Sequence, residues 1–280
     1  MKSYLRFLSR NKLYTAIEVV GLSVALAFVL IIGSYVWQEY SISRENPDYE
    51  RIYIPTQSMP YGIFEPMKEQ IPEIEKITLV NSFDDVVMEC DDERLVTRGL
   101  AVRGDFFDIF DYEFLIGDAE CLESYTDIVI SESYAAKLAG KPELAVGMKI
   151  VPVDYPSQAY TVTGIIKDFD QNYWKYMDFI CKGESPLNDS AQKNPIFTLS
   201  ATAFIKVAES ADVDALEGKI QAIFKQLWGE KMKAAMIDQF TVNLGIERFD
   251  KLYFSGEVID DYLNMGDRSQ IIILLIVSLL

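Results

Sequence analysis

The chain has 280 residues, half of them apolar and a quarter charged, with a formal net charge of −17 and no histidine. That balance supplies a core as well as membrane segments and excludes global disorder, while the excess of carboxylates repels phosphate backbones and excludes nucleic acid as a partner. Without histidine there is no Ser-His-Asp or Cys-His nucleophile and no histidine-ligated metal.

The first twelve residues carry Lys2, Arg6, Arg10 and Lys12 and no acid, with Leu5, Phe7 and Leu8 between the charges. This pattern predicts a cytoplasmic amphipathic segment over 1–18. Val19 to Gln38 is uncharged, and twenty residues at ~1.5 Å each span about 30 Å, the depth of a bilayer core. Tyr35 and Trp37 stand at its far end, as an aromatic belt would. The run is longer than the apolar part of a signal peptide and lacks a small-x-small cleavage site, so 19–38 is expected to be a retained transmembrane helix. The flanking cations then put the N-terminus in the cytoplasm and residues 39–269 outside. Glu18, the last charge before the run, reads as an interfacial residue.

Beyond the membrane the predicted elements alternate. Arg51 to Ser58 reads as a strand, Tyr61 to Gln70 as a helix stopped by Pro72, and Glu75 to Phe83 as a strand. A second β-α-β unit follows later: a strand over Leu199 to Val207, and a helix capped by Asp212 with Leu216, Ile220, Ile223, Phe224 and Leu227 on one face. A strand over Phe240 to Phe249 closes it. Two such units predict a split ferredoxin-like, porter-like layer over 48–83 and 196–250.

Residues 84–195 are expected as an inserted β-rich lobe. Val86–Met88 and Leu95–Val102 flank the acidic turn Glu89–Glu93. Gly104–Phe110 reads as a short helix, Thr126–Ile130 as a strand, and Ser131 as the cap of a helix ending at Gly140. Met148–Val153 and Tyr160–Lys167 read as a hairpin. At the far end, Gln270 leads into ten apolar residues that reach only about 15 Å as a helix, so 270–280 is expected to begin a second transmembrane helix cut off at Leu280. The fold class is thus α+β between two membrane segments.

Several blocks resemble the MacB/FtsX-like ABC transporter permeases. Residues 12–26, KLYTAIEVVGLSVAL, match the opening of the family's first membrane helix, and QEYSISRENPDYERIYI its exit into a strand. The more specific blocks are DFFDIFDYEFLIG at Asp105–Gly117, DIVISESYAAKLAG at Asp127–Gly140, Val146–Lys149, and YTVTGIIKDF at Tyr160–Phe169, which stand in the family order. Ala139 replaces the usual Phe, Ala145-Val146 the usual Pro-Ile, and Asn172-Tyr173-Trp174 the usual Asn-Ser-His. The resemblance implies a MacB-like periplasmic core domain of a permease in the cell inner membrane. It also implies a permease dimer, a separate cytoplasmic ABC ATPase subunit whose contact loop is not in this chain, and a periplasmic or outer-membrane partner. The outer domain would transmit ATP-driven motion to export or extract an envelope substrate, with no catalytic, cofactor or metal site on this chain. A membrane-tethered sensor domain has the same topology and is the alternative.

Among side chains, Tyr173, Trp174 and Tyr176 fall on an expected loop and are the candidate contacts for a partner or lipid. Phe106, Phe107, Phe110, Tyr112 and Phe114 read as core. The acids at Glu89, Asp91, Asp92 and Glu93 read as a solvated turn, and the pairs Asp168–Asp170 and Asp260–Asp261 lack a pocket. Cys90, Cys121 and Cys181 are expected as buried thiols, one bridge plus a free thiol being the alternative in an oxidising compartment.

Overall fold

A helix that is apolar all round has no face to turn to water, and the first helix among the described residues is of that kind. In the computed structural model the described residues are 12–91, 93–168, 173–183, 200–234, 245–256 and 262–279. They form two units, one made of the segments up to Ile42 and from Gly266, the other of Ser43–Met265. In the first unit, α1 (Lys12–Ser41) is long and apolar enough to cross a membrane, and its leucines, valines and isoleucines point outward on every side. The last helix of the chain, which spans Arg268–Leu279, is also apolar and packs on α1; Asp267 accepts the backbone N–H of Ser269 at 2.8 Å and caps it.

The second unit is built on one mixed sheet. Its elements in order are β1 (Ile52–Pro55), β2 (Met59–Pro60), α2 (Phe64–Gln70), β3 (Ile74–Cys90), β4 (Glu93–Gly104), α3 (Phe106–Ile109), β5 (Phe114–Ile116), β6 (Asp127–Ser131) and α4 (Glu132–Ala139). Then come β7 (Lys149–Pro152), β8 (Tyr160–Ile166), β9 (Phe179–Lys182), β10 (Ser200–Val207), α5 (Val213–Ala234), β11 (Ile246–Arg248) and α6 (Phe249–Leu252); the apolar helix of the first unit over Arg268–Leu279 is α7. The spatial order is β11-β1-β10-β3-β4-β9-β6-β8-β5, with β2 beside β10 and β7 against β3 and β8. Each neighbouring pair among the first four is antiparallel, and their order is that of a ferredoxin-like β-α-β-β-α-β layer. The mixed α+β architecture follows the expectation from sequence.

Asp212 Oδ1 accepts the N–H of Ala215 and starts α5, whose Leu216, Ile220, Ile223 and Phe224 recur at helical spacing and are buried. Together with Phe64 and Met67 of α2 they cover Ile77 and Leu79 of β3 and Ala201, Ala203 and Ile205 of β10. The alternate residues Ile52, Ile54, Thr202 and Phe204 are equally buried, so this part of the sheet is covered on both faces. A second cluster gathers Met88, Cys90, Ala101, Ile128, Ile130, Tyr134, Phe179 and Cys181 under α4. Ser131 Oγ accepts the N–H of Tyr134 at 3.2 Å, and Gly140 closes α4 with a φ of 73° that favours glycine.

Three elements differ from expectation. The helix after β2 begins with a 3-10 turn, Tyr61–Ile63, and becomes α-helical only at Phe64. The expected strand Phe240–Phe249 is a strand over Ile246–Arg248, and Phe249 opens α6; residues 240–244 lie outside the described residues. Residue 84, where an inserted lobe was expected to begin, lies inside β3. That strand runs on through a bulge between Phe83 and Val86, with Asp85 at a φ of 54°.

The bulge has a directional effect. Phe83 faces Gly99 and Val86 faces Thr97, so two residues oppose the single residue Arg98. One extra residue inverts the side-chain parity of a strand. Val86, Met88 and Cys90 therefore point to the same face as Leu79, where their cluster lies. Deleting Asp85 should turn these three outward and abolish cooperative unfolding of the second cluster, seen as loss of near-UV circular dichroism. Asp85→Gly should stay within about 1 kcal/mol of the parent in urea titration, because glycine accepts a positive φ.

A close approach holds β4 to β9. A Cβ on Gly99 would lie 2.2 Å from the Phe179 ring, which is itself buried. Gly99→Ala should cost about 1–3 kcal/mol by urea titration, and Phe179→Leu in the same chain should recover part of it.

Candidate interaction surface

Tyr173 and Trp174 do not lie on an exposed loop. Tyr173 accepts the N–H of Asn264 at 2.9 Å, Trp174 bridges Leu263, and the Trp174 carbonyl accepts Asn264 Nδ2 at 2.9 Å. This short antiparallel pairing turns both rings inward. Trp174 stands 4.9 Å from Phe110, 5.6 Å from Tyr262 and 5.8 Å from Phe204, and Tyr173 stands 5.1 Å from Phe249. Phe106 and Phe110 belong to the same layer, which covers the sheet face opposite α2 and α5. The expected contact role for Tyr173 and Trp174 is thus corrected: their faces are occupied by other rings. The Trp174 indole N–H finds no hydrogen-bond partner among the described residues, which costs about 1–3 kcal/mol and is offset by the rings around it.

Tyr176 is different, with 42% of its surface exposed. Its hydroxyl is 3.4 Å from Ser131 Oγ, and Lys137 Nζ sits 5.8 Å from its ring centroid. Beneath it lies Asp178, only 6% exposed, whose Oδ2 accepts the Arg98 N–H at 3.0 Å and whose Oδ1 is 3.9 Å from Lys137 Nζ. Burial, more than the neighbouring Asp178 and Asp168, pushes the Tyr176 phenol up to about 12, so it is a neutral donor at ordinary pH. Phenol and ammonium thus stand exposed side by side over the buried carboxylate. Lys137 and Asp178 were not among the candidates from sequence, because the β4–β9 pairing that brings Asp178 under α4 is long-range.

The other candidates are placed as follows. Asp168 accepts the N–H and Oγ of Ser133 at 2.8 and 2.5 Å and so holds the first turn of α4; Asp170, Asp260 and Asp261 lie outside the described residues. Glu89 pairs with Arg94 at 2.6 Å at the β3–β4 tip, where Asp91 has a φ of 47° and Asp92 lies outside the described residues. Glu18 is exposed on α1. Among the described residues no three acidic or cysteine side chains gather as metal ligands. All three cysteines are free thiols, Cys90 and Cys181 buried and Cys121 partly so.

A cleft of ≈ 560 Å³ opens at the carboxyl ends of the parallel strands β4 and β9, lined by Phe106, Phe107, Leu122, Asp105, Glu123 and Lys182 among others. It was not legible in sequence, since it depends on a 3-10 turn, Ala119–Leu122, standing across the strand ends.

Comparison with known proteins follows this geometry. The family model of the MacB-like periplasmic core domain matches residues 15–223. A domain of a permease protein from Porphyromonas gingivalis is similar with a TM-score of 0.58 and 21% identity, covering 71% of this chain and 90% of that one. The periplasmic region of MacB from Actinobacillus actinomycetemcomitans gives 0.45 and 12%, covering 68% and 94%. The extracellular domain of YknZ, a noncanonic ABC-type transporter from Gram-positive bacteria, gives 0.44 and 12%, covering 61% and 85%. At 21% identity the first shows the fold; the other two are too distant to argue from. No curated protein matches the chain.

The thiols give a test of the second cluster. Burial pushes the Cys181 thiol up to about 12, and burial with Asp91 and Glu93 raises Cys90. A maleimide should label Cys121 first in the native chain, and Cys90 and Cys181 only after unfolding. A thiol raised in the folded state contributes stability that is whole below the unfolded value of about 8.5 and is lost as pH rises towards about 12. Cys181→Ala should therefore lose less stability than the parent between about pH 8.5 and 10.5 in urea titrations.

Proposed function

The chain belongs to the family of MacB-like periplasmic core domains, and from that membership we propose that it is the membrane-tethered outer part of a permease subunit of an ABC transporter. Its role is to carry ATP-driven motion from the cytoplasmic side to an envelope substrate that is exported or extracted. The observation that carries this reading is the extent of the match, which begins inside α1 at residue 15 and runs through the sheet into α5. The family likeness thus covers the apolar helix and the outer domain together.

The physical reading is of a lever. The sheet unit continues at both ends into apolar helices, at Ser43 from α1 and at Met265 into α7. Displacement of those helices therefore enters the unit at two points and turns it as a body. ATP binding and hydrolysis belong to a separate cytoplasmic subunit, and two permease chains work as a pair. The basic residues Lys2, Arg6, Arg10 and Lys12 keep the N-terminus in the cytoplasm of a cell with this chain in its inner membrane, and the sheet unit faces the periplasm. A periplasmic or outer-membrane partner receives the motion. Tyr176, with Lys137 beside it, is the remaining exposed aromatic of the three contact candidates and is assigned to partner or lipid contact.

The orientation and the pairing are tested together. Val96, 65% exposed on β4, is replaced by cysteine in a chain whose own cysteines are alanine. A membrane-impermeant maleimide should label it in intact spheroplasts, and the native permease, purified in detergent from its own membranes, should carry a nucleotide-binding subunit with it. Labelling only after lysis, or purification with no nucleotide-binding subunit, would sink the reading.

A further inference from the structure

We propose that Asn46 and Asn264 are positioning residues that fasten both membrane-proximal segments of the sheet unit to its aromatic layer, which is where motion of the two apolar helices enters. The inference rests on the lever reading above and names the residues through which the lever is driven.

Asn46 lies five residues beyond the end of α1 at Ser41, and Asn264 four residues before the start of α7 at Arg268. Asn46 is the one asparagine among the described residues that is buried, at 3% exposure. Its Oδ1 accepts the N–H of Asp48 at 2.9 Å, a turn that an aspartate or serine would make as well. Its Nδ2 has a distant partner: it donates to the carbonyl of Ile109 at 2.8 Å, across 63 residues. That carbonyl belongs to the last turn of α3, where no partner is available within the helix. The amide supplies both bonds at once, acceptor to the turn and donor to α3. The same segment continues onto β10, where Asp48 Oδ2 stands 2.5 Å from Lys206 Nζ and Arg51 Nε donates to the Val207 carbonyl at 2.9 Å.

Asn264 repeats the arrangement from the other end of the unit. Its Nδ2 donates to the Trp174 carbonyl at 2.9 Å, and its backbone N–H donates to the Tyr173 carbonyl at 2.9 Å. The two anchor points converge. Phe110, next to Ile109, has its ring 4.9 Å from Trp174 and 6.1 Å from Tyr173, and Phe106 stands 6.0 Å from Trp174. All five of these residues are buried. Segments that lie far apart in the chain therefore hold neighbouring parts of one packed layer. A free linker absorbs displacement by rotation about its own φ and ψ, whereas a segment bonded to a close-packed layer passes displacement on. Two such bonds on one layer make the two helices act on the same element of the sheet unit.

The test uses the native permease, purified in detergent with its nucleotide-binding subunit and carrying Val96→Cys in an otherwise cysteine-free chain. A nitroxide at that position reads the distance between the sheet units of the paired chains by pulsed electron resonance, with and without ATP and vanadate. The parent distance should shift on trapping. Asn46→Asp keeps the turn but loses the donated bond, and it should reduce the shift to about half or less while ATP hydrolysis stays within about twofold. Asn264→Asp should do the same. That side chain is only half-buried and its backbone bond to Tyr173 persists, so this variant folds even if Asn46→Asp does not. Asn81→Ala removes an amide bond of 2.8 Å to the Tyr61 hydroxyl, inside the sheet unit but outside both segments, and should leave the shift as in the parent. A full shift in either folded Asp variant, or an equal loss in Asn81→Ala, overturns the two anchors and leaves the transporter reading standing. No shift in the parent overturns the lever reading, and the anchors with it.

Discussion

The bulge at Asp84–Asp85 is the constraint on which the rest of the sheet unit depends. A strand long enough to serve two hydrophobic clusters must present apolar residues to the same side along its whole length, yet the apolar residues of β3 change parity midway. Ile77 and Leu79 are odd-numbered, while Val86, Met88 and Cys90 follow the even phase for part of their run. The inserted residue reconciles the two phases. Arg98 opposite it lies 3.5 Å from Asp84 and donates its backbone N–H to the buried Asp178, which ties β4 to the segment entering β9 at the same level. The hairpin is thereby fixed to the neighbouring strand where its own ladder is interrupted.

This also accounts for what was legible in the sequence. Local signals carried well where one helix or turn decided the outcome: Asp212 before a periodic stretch, Ser131 and Gly140 at the two ends of α4, the hairpin of β7 and β8. The ferredoxin-like order emerged from two β-α-β patterns because each crossover helix displays its own apolar stripe. The lobe boundary did not, because Asp-Asp at residues 84–85 has the same look whether it ends a strand or kinks one. Side-chain parity across the kink makes sense only once β4 is known to be its partner.

The aromatic residues failed for a related reason. Tyr173, Trp174 and Tyr176 were read as a group because they lie within four positions, but backbone pairing with residues 262–264 sends the first two into a layer with Phe106, Phe110 and Phe204. That pairing spans ninety residues between Trp174 and Asn264 and leaves no trace in local composition. The amino-terminal member of that layer, the DFFDIF block, was legible as core because its phenylalanines recur at helical spacing. Its cover on the far side was not.

Covering both faces of the porter-like layer has a mechanical consequence. An open-faced sheet can bend and twist, whereas one clamped between two helices and an aromatic layer loses van der Waals contact if it flexes. Close-packed cores change arrangement in discrete steps rather than deforming continuously. A displacement imposed at Ser43 and Met265 would therefore be transmitted through β3 and β4 with little loss to internal bending. β3 alone has 17 residues, a path of roughly 55 Å at ~3.3 Å per residue. Buried rings serve that purpose better than exposed ones. The two aromatics lost from the candidate contact surface, Tyr173 and Trp174, are thus the ones that stiffen the unit, while Tyr176 stays exposed at its surface.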